Sequence, residues 1–460
     1  MLTIFGQKTY GGFCDRIGRR DFLAIGGMAL GGLAMSDLLQ AESLPAASAA
    51  GGRSHKAIIN VFLPGGPPHL DMFDMKPDAP AEIRGEYSPI RTNVPGLEIC
   101  ELFPKLATMA DQFALIRSLA DSDGEHSAYQ CMTGHKRSQQ APPGGWPAFG
   151  AWVSKLQGNV NPAVPPNISL MYRTGHAPWG EPGDGGFLGV GNSPFKVVDR
   201  QATEQRKTES MTLQGVTLER LRDRESLRSA LDQFRRDTDS SGVMDGLDNF
   251  SQRAMGILTS SKLADALDLS LEDPQVLAKY GVDDPAFERD GAPRMVRNFC
   301  IARRLVEAGA RVVSMNFIRW DWHGGDGMNF VNSKRDFPLL DTGLSSLLQD
   351  LRERGLDRDV SVVVWGEFGR TPRLNQMNSR DHWPQANTAL IAGGGMKLGQ
   401  VIGKTNKYAE HPIDRPIKFQ EVFATLYAKA GLDLNTRQFD LRGRPQYLID
   451  SGIEPIRELM

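Results

Sequence analysis

Two acid–histidine clusters in the C-terminal half of this 460-residue chain have the residue types and spacing that metal chemistry needs. The first is Asp321-Trp322-His323, beyond the apolar run Arg311-Val312-Val313-Ser314-Met315-Asn316-Phe317. The second starts at Glu367, just past Val360–Trp365, and continues through Gly369-Arg370-Thr371-Pro372 to Arg380-Asp381-His382-Trp383. A third set, His69, Asp71 and Asp74, follows Ala57–Leu63 and its stop at Pro64-Gly65-Gly66-Pro67-Pro68. The i, i+2 spacing of Asp321/His323 and of His69/Asp71 sends both side chains of a pair to one side of an extended segment. Carboxylates with imidazoles suit a divalent ion: zinc, manganese, magnesium or calcium. Glu367, Asp381 and His382 are expected to share the ion of Asp321 and His323 or to hold a second ion beside it.

A lone Asp-x-His is more often a hydrogen-bonded turn than a ligand pair. Three such groups at expected strand ends, in a chain with eight histidines, shift the balance to metal binding. For an anionic group, Arg370, Arg373 and Arg380 offer bidentate donors. His126 and Ser127 stand where a helix N-terminus is expected, which stabilises anions. Ser127 is a candidate nucleophile, its plainer role being that of a cap. His126 or His382 would manage the leaving-group proton. His135 and His176 read as residues of polar loops.

The elements that must position these groups alternate along the chain. Near-continuous apolar runs at Ala57–Leu63, Phe113–Ser118, Arg311–Trp320, Val360–Trp365 and Thr388–Ala392 read as strands buried on both faces. Helices are expected at Leu102–Ala110, His126–Gly134, Pro147–Leu156, Arg294–Gly309, Phe337–Arg354 and, starting from Pro416, up to Ala430. The alternation predicts an α/β fold: a doubly wound, mostly parallel sheet flanked by helices, in which strand carboxyl ends line the ligand crevice. Within 142–290, a loop-rich wall (Pro142–Pro194) precedes a charged segment, Leu218 to Leu269, that reads as an inserted helical subdomain.

A formal charge of −2, from 53 basic and 55 acidic residues, gives no general reason to expect nucleic acid or an anionic membrane as partner. Cys14, Cys100, Cys131 and Cys300 show no CxxC spacing, so neither a disulfide scaffold nor a thiolate zinc site is supported, and the last three are expected as buried thiols. Arg19-Arg20-Asp21-Phe22-Leu23 before a glycine-rich apolar run reads as a twin-arginine signal and linker over residues 1–50. The expected destination is periplasmic or extracellular, by way of the twin-arginine export machinery, with no transmembrane span in the mature chain.

The residues also resemble a known family. Phe62-Leu63-Pro64-Gly65-Gly66-Pro67-Pro68-His69-Leu70-Asp71, Ala302-Arg303-Arg304-Leu305-Val306-Glu307-Ala308-Gly309, Asp321-Trp322-His323, Gly366-Glu367-Phe368-Gly369-Arg370-Thr371-Pro372 and Arg380-Asp381-His382-Trp383 are similar to the exported bacterial DUF1501 proteins. That family lies in the alkaline phosphatase and sulfatase superfamily. The resemblance implies a single alkaline phosphatase-like domain over 55–460, one or two metal ions, and hydrolysis of phosphate or sulfate esters. Asp321 and His323 look like one ligand pair, Glu367 like an acidic ligand after a core strand, and Asp381-His382 like the later acid–histidine element. Two departures stand out: Pro64-Gly65 replaces a ligand Asp after the first strand, and the sulfatase Cys-x-Pro-x-Arg signature is missing. The expectation is an exported metal-dependent hydrolase of a small-molecule or glycan ester. The alternative is a non-catalytic glycan- or partner-binding protein on the same scaffold.

Overall fold

The computed structural model describes residues 55–197, 260–325 and 328–460. The expected signal segment, and most of the expected insert at Leu218 to Leu269, lie outside the described residues. Among the described residues, nine strands form the central sheet: β1 (Ala57–Phe62), β2 (Phe113–Ala120), β3 (Asn167–Ser169), β4 (Phe195–Lys196), β5 (Val312–Asn316), β6 (Val360–Trp365), β7 (Asn387–Gly393), β8 (Gln400–Ile402) and β9 (Ile417–Lys418). Their order is β8-β2-β7-β6-β1-β5-β3-β4, with β9 also paired to β2. All pairings are parallel except the two made by β7, which runs antiparallel to both β6 and β2.

The helices that bear on the site are α1 (His69–Met72), α2 (Tyr129–Thr133), α3 (Phe149–Gln157), α4 (Asn298–Ala308), α5 (Asn329–Glu353) and α6 (Phe419–Lys429), beside other short helices such as Lys262–Leu267 and Pro274–Lys279. Strand alternation explains why they cover both faces. Ile59, Val61, Val313, Met315, Val362 and Val364 pack with Phe299, Leu305, Phe337 and Leu344 of α4 and α5. Ile58, Phe62, Val363 and Trp365 pack with Phe149 and Trp152 of α3 and with Val422 and Phe423 of α6. Each such side chain, fully buried, contributes roughly 1.5–3 kcal/mol. Strands apolar on both faces need this double cover, so the doubly wound α/β architecture follows from their composition.

Several element boundaries differ from those expected. Leu102–Ala110 is not one helix: a single turn, Pro104–Ala107, has Asp341 of α5 accepting the Lys105 and Leu106 N–H groups, and the chain then turns into β2. The helix expected from His126 starts at Tyr129, because Ser127 Oγ accepts the Tyr129 N–H and leaves His126 in a loop. A five-residue helix has little dipole, so the anion-stabilising N-terminus expected there is lost. α5 begins at Asn329, well before Phe337; side-chain bonds from Asn332 to Met328 O and from Ser333 to Asn329 O support the turns ahead of Pro338. The strand expected to reach Trp320 stops at Asn316, where Ile318 takes a positive φ of 65°. Pro416 does not start α6, since Ile417 and Lys418 are used as β9, and Glu421 instead caps the Lys418 N–H.

What matters for function is the centre of the sheet. β6, β1 and β5 lie side by side with Phe62 opposite both Trp365 and Asn316, so their carboxyl ends are level. The three loops that follow leave from one edge.

Candidate metal centre

The loop after β1 is built for close approach. Gly65 has φ +105°, and a Cβ there would stand 2.5 Å from the Asp321 backbone nitrogen, so only glycine lets the β5 loop cross it. Two main-chain bonds hold that crossing: Phe317 N–H to Phe62 O (3.0 Å) and Trp320 N–H to Pro64 O (2.8 Å). Ile318, β-branched and buried, is held in the left-handed region at the bend, a strained conformation. The bend directs Asp321 over the sheet edge.

Asp321 is the hub. Its carboxylate is 4% exposed and meets three imidazoles and two guanidinium groups. Oδ1 lies 2.7 Å from Arg370 Nη2, 3.4 Å from His382 Nε2 and 3.5 Å from His126 Nε2. Oδ2 lies 3.2 Å from both Arg319 Nη2 and His323 Nε2. Burial alone would raise the Asp321 pKa, but the hydrogen bond from His382 and the Arg370 charge outweigh it and hold the carboxyl well below its usual range. Burial pushes the His382 pKa down, with Arg370 and His126 adding to the effect against the pull of Asp321. The site therefore presents a carboxylate facing a neutral imidazole near pH 7.

The distances discriminate between two roles. The Arg370 contact has the length of a direct charge-assisted hydrogen bond, about 2.7–2.9 Å. The His126 and His382 contacts are longer. Donors bound to one tetrahedral zinc at about 2.0–2.1 Å stand roughly 3.4 Å apart, which is the spacing these imidazoles keep from Asp321 Oδ1. Among the described residues, His126, Asp321 and His382 form a group whose ligand atoms all lie within 4.8 Å of one another. The donor set fits a divalent ion. His323, on the second carboxylate oxygen and about one-third exposed, borders it.

Glu367 stands behind His126. Its Oε1 accepts the Gly65 N–H (2.9 Å) and the Trp179 indole N–H (2.8 Å), while Oε2 faces the Gly66 N–H (3.2 Å). His126 Nδ1 is 3.5 Å from Oε1. No hydrogen bond joins the two in this geometry; Glu367 sets a negative charge beside Nδ1, while Nε2 is the ring nitrogen that faces Asp321. The ring is walled by Trp179, Phe368 and His176, and the His176 Nε2 lies 2.7 Å from the His126 carbonyl oxygen. The sequence reading did not single out Trp179 or Arg319, and it left His176 in a polar loop. Arg319 precedes Asp321 by the same i, i+2 spacing that marked His323, a signal that was available.

Other expected site residues are placed elsewhere. Asp71 is fully buried and bound at both oxygens by Arg380 (2.7 Å each), with Asn329 Nδ2 also on Oδ2 (2.7 Å). Asp74 is taken by Lys76 and Thr405. His69 accepts the Arg370 N–H at Nδ1, and burial pushes its pKa down to about 3, so it is a neutral core residue. Asp381 is exposed and accepts from Asn375. Arg373 is an exposed side chain 3.8 Å from Glu82. Arg370 is buried and donates to the carbonyl oxygens of Gly65, Gly66 and Arg380 as well as to Asp321, and Arg380, also buried, spends all five N–H groups on Asp71 and the carbonyl oxygens of Thr371, Pro372 and Ile83; both serve the floor of the site and not a substrate oxygen. Cys100, Cys131 and Cys300 are buried free thiols.

A family model described as "Protein of unknown function (DUF1501)" matches residues 55–460. None of the curated proteins compared with the chain matches it. Among solved structures, it is similar to a phosphonate monoester hydrolase from Silicibacter pomeroyi at 10% identity and TM-score 0.36, covering 83% of this chain and 74% of that one. The sulfatase PsFucS1 from Pseudoalteromonas sp. aligns at 10% identity and TM-score 0.31, over 82% and 68% of the two chains. The lipoteichoic acid synthase LtaP from Listeria monocytogenes aligns at 9% identity and TM-score 0.32, over 80% and 75%. At such identities, what the cluster can do has to come from its own atoms.

Proposed function

This chain belongs to the DUF1501 family, and from that premise we propose that it is a metal-dependent hydrolase of sulfate or phosphate esters, including esters on polysaccharides. The observation that carries the reading is the convergence of His126 Nε2, His382 Nε2 and Asp321 Oδ1 at 3.4–3.5 Å beyond the carboxyl ends of three adjacent strands. His126, Asp321 and His382 would hold the ion, and Glu367, Arg319 and Arg370 keep those ligands in position. A divalent ion there supplies Lewis-acid polarisation of an ester oxygen. His323 borders the hub with its Nε2 toward Asp321 Oδ2 and is the residue placed to pass a proton to the leaving oxygen. Ser127 Oγ is occupied as acceptor of the Tyr129 N–H, which favours water over Ser127 as nucleophile.

The test is turnover of aryl sulfate and aryl phosphate esters by the reconstituted protein beside His382→Ala. Metal-dependent turnover abolished in the variant supports the proposal; folded, metal-loaded protein that turns over neither ester class contradicts it. A second reading has an observation of its own: Arg319 and Arg370 balance the Asp321 charge without any ion. On that reading the hub is an ion-paired floor beneath the cleft of a non-catalytic binding protein. Export belongs to the proposal too, supported by Arg19-Arg20 ahead of an apolar run. Replacing both arginines by lysine should leave the protein in the cytoplasmic fraction, and unchanged secretion would count against the twin-arginine route.

A further inference from the structure

A second cleft opens where the loop-rich wall meets the C-terminal hairpin. The hairpin pairs Arg437–Phe439 with Pro445–Tyr447. Together with the 140–146 loop it encloses an open cleft of about 430 Å³, lined by Gln140, Trp146, Asp440, Arg442, Arg444 and Gln446 among others. None of these residues belongs to the Asp321 cluster.

Trp146 is held rigidly. One face of its ring system stacks on His135, with centroids 3.7 Å apart and planes 13° from parallel. His135 is itself buried and bonded to Gln420. A fixed aromatic plane takes a flat ligand face with little ordering cost.

Asp440 is the only acid in the lining and is already committed. Its Oδ1 accepts the Arg442 and Arg444 backbone N–H groups, and its Oδ2 accepts from Gln446 Nε2, which closes the hairpin turn. The Arg442 and Arg444 guanidinium groups make no hydrogen bond or ion pair among the described residues. Two guanidinium groups that make no hydrogen bond among the described residues, beside a stacked indole, fit a ring that carries an anionic oxygen group. Phe439, Leu441 and Tyr447, 50–71% exposed, add apolar surface on the same hairpin.

We propose that this cleft binds an anionic saccharide, with the sugar ring against Trp146 and a sulfate or carboxylate held by Arg442 and Arg444. The site is separate from the metal cluster, so binding should persist in His382→Ala whatever becomes of turnover there. Calorimetric titration of the full chain with a chondroitin sulfate hexasaccharide, and with maltohexaose as neutral probe, tests it at fixed low salt. The sulfated probe should bind more tightly. In Arg442→Ala/Arg444→Ala its affinity should fall by about tenfold or more, the size of a lost charge-assisted contact, with the melting temperature unchanged. Trp146→Ala should weaken both probes, and if it fails to fold, the arginine variant decides alone. No binding by the native chain, equal affinity for the two probes, or sulfated-probe affinity unchanged in the arginine variant would each overturn the proposal.

Discussion

Asp71 and Asp321 look alike in sequence and end in opposite states. Each follows the carboxyl end of a central strand, and each stands two residues from a histidine. Asp71 lies within α1 with no exposure, and Arg380 and Asn329 take up its oxygens. Asp321 also has arginine partners, yet three imidazoles reach it from the crevice side. A buried two-point Arg–carboxylate pair is closed to ligands and serves the fold, whereas a carboxylate ringed by partly exposed imidazoles can still take up an ion. Strand-end position alone does not make a ligand; what the second oxygen meets decides it.

If that contrast is right, the two aspartates should fail differently. Asp71→Ala leaves Arg380 buried without its anion and should lower unfolding free energy by about 3–5 kcal/mol, read by denaturant titration, with metal content per folded molecule unchanged. A mild effect would mean that the Asp71 pair is not the structural partner of the hub. Glu367→Gln keeps the shape behind His126 but removes the charge that orients its ring, so metal affinity should drop about 10- to 100-fold in a chelator competition. An unchanged affinity would remove Glu367 from the positioning role.

A smaller effect concerns pH. The folded pKa of His69 is depressed to about 3 against an ordinary value of 6.5, so the unfolded chain binds more protons between the two values. Stability contributed by keeping His69 neutral is therefore lost as pH falls from 6.5 toward 3. Asp321, also depressed, adds stability above the ordinary carboxyl pKa of about 3.9 that is lost below it. His69→Gln, which can still accept the Arg370 N–H, should flatten the slope of stability from pH 6.5 downward; an unaltered slope would mean that other groups set it.

Much of this is legible in the sequence. The strands at Ala57–Phe62 and Val360–Trp365 could be read because burial on both faces demands unbroken apolar runs. The Asp321–His323 contact could be read because i, i+2 spacing just past a strand is a local property. His126 joining Asp321 could not, since the carboxyl ends of β2 and β5 are brought to one edge by the sheet order, which is non-local. Arg380 and Arg370 were read as anion clamps because arginine beside a reactive motif is equally compatible with substrate and with a buried acid. Only burial separates those uses, and burial is settled by the assembled core. The start of α6 was misread for a related reason: Pro416 suits a first helical turn, yet Ile417 and Lys418 were taken by pairing with β2.

The most direct test of the central claim is elemental analysis by mass spectrometry of the purified protein, after reconstitution with zinc or manganese and removal of loosely bound ions, beside His126→Ala/His382→Ala. The account predicts a near-stoichiometric divalent ion in the native chain and its loss from a variant that remains folded. A well-folded native chain that retains no ion, or a variant that retains as much as the native chain, would contradict it.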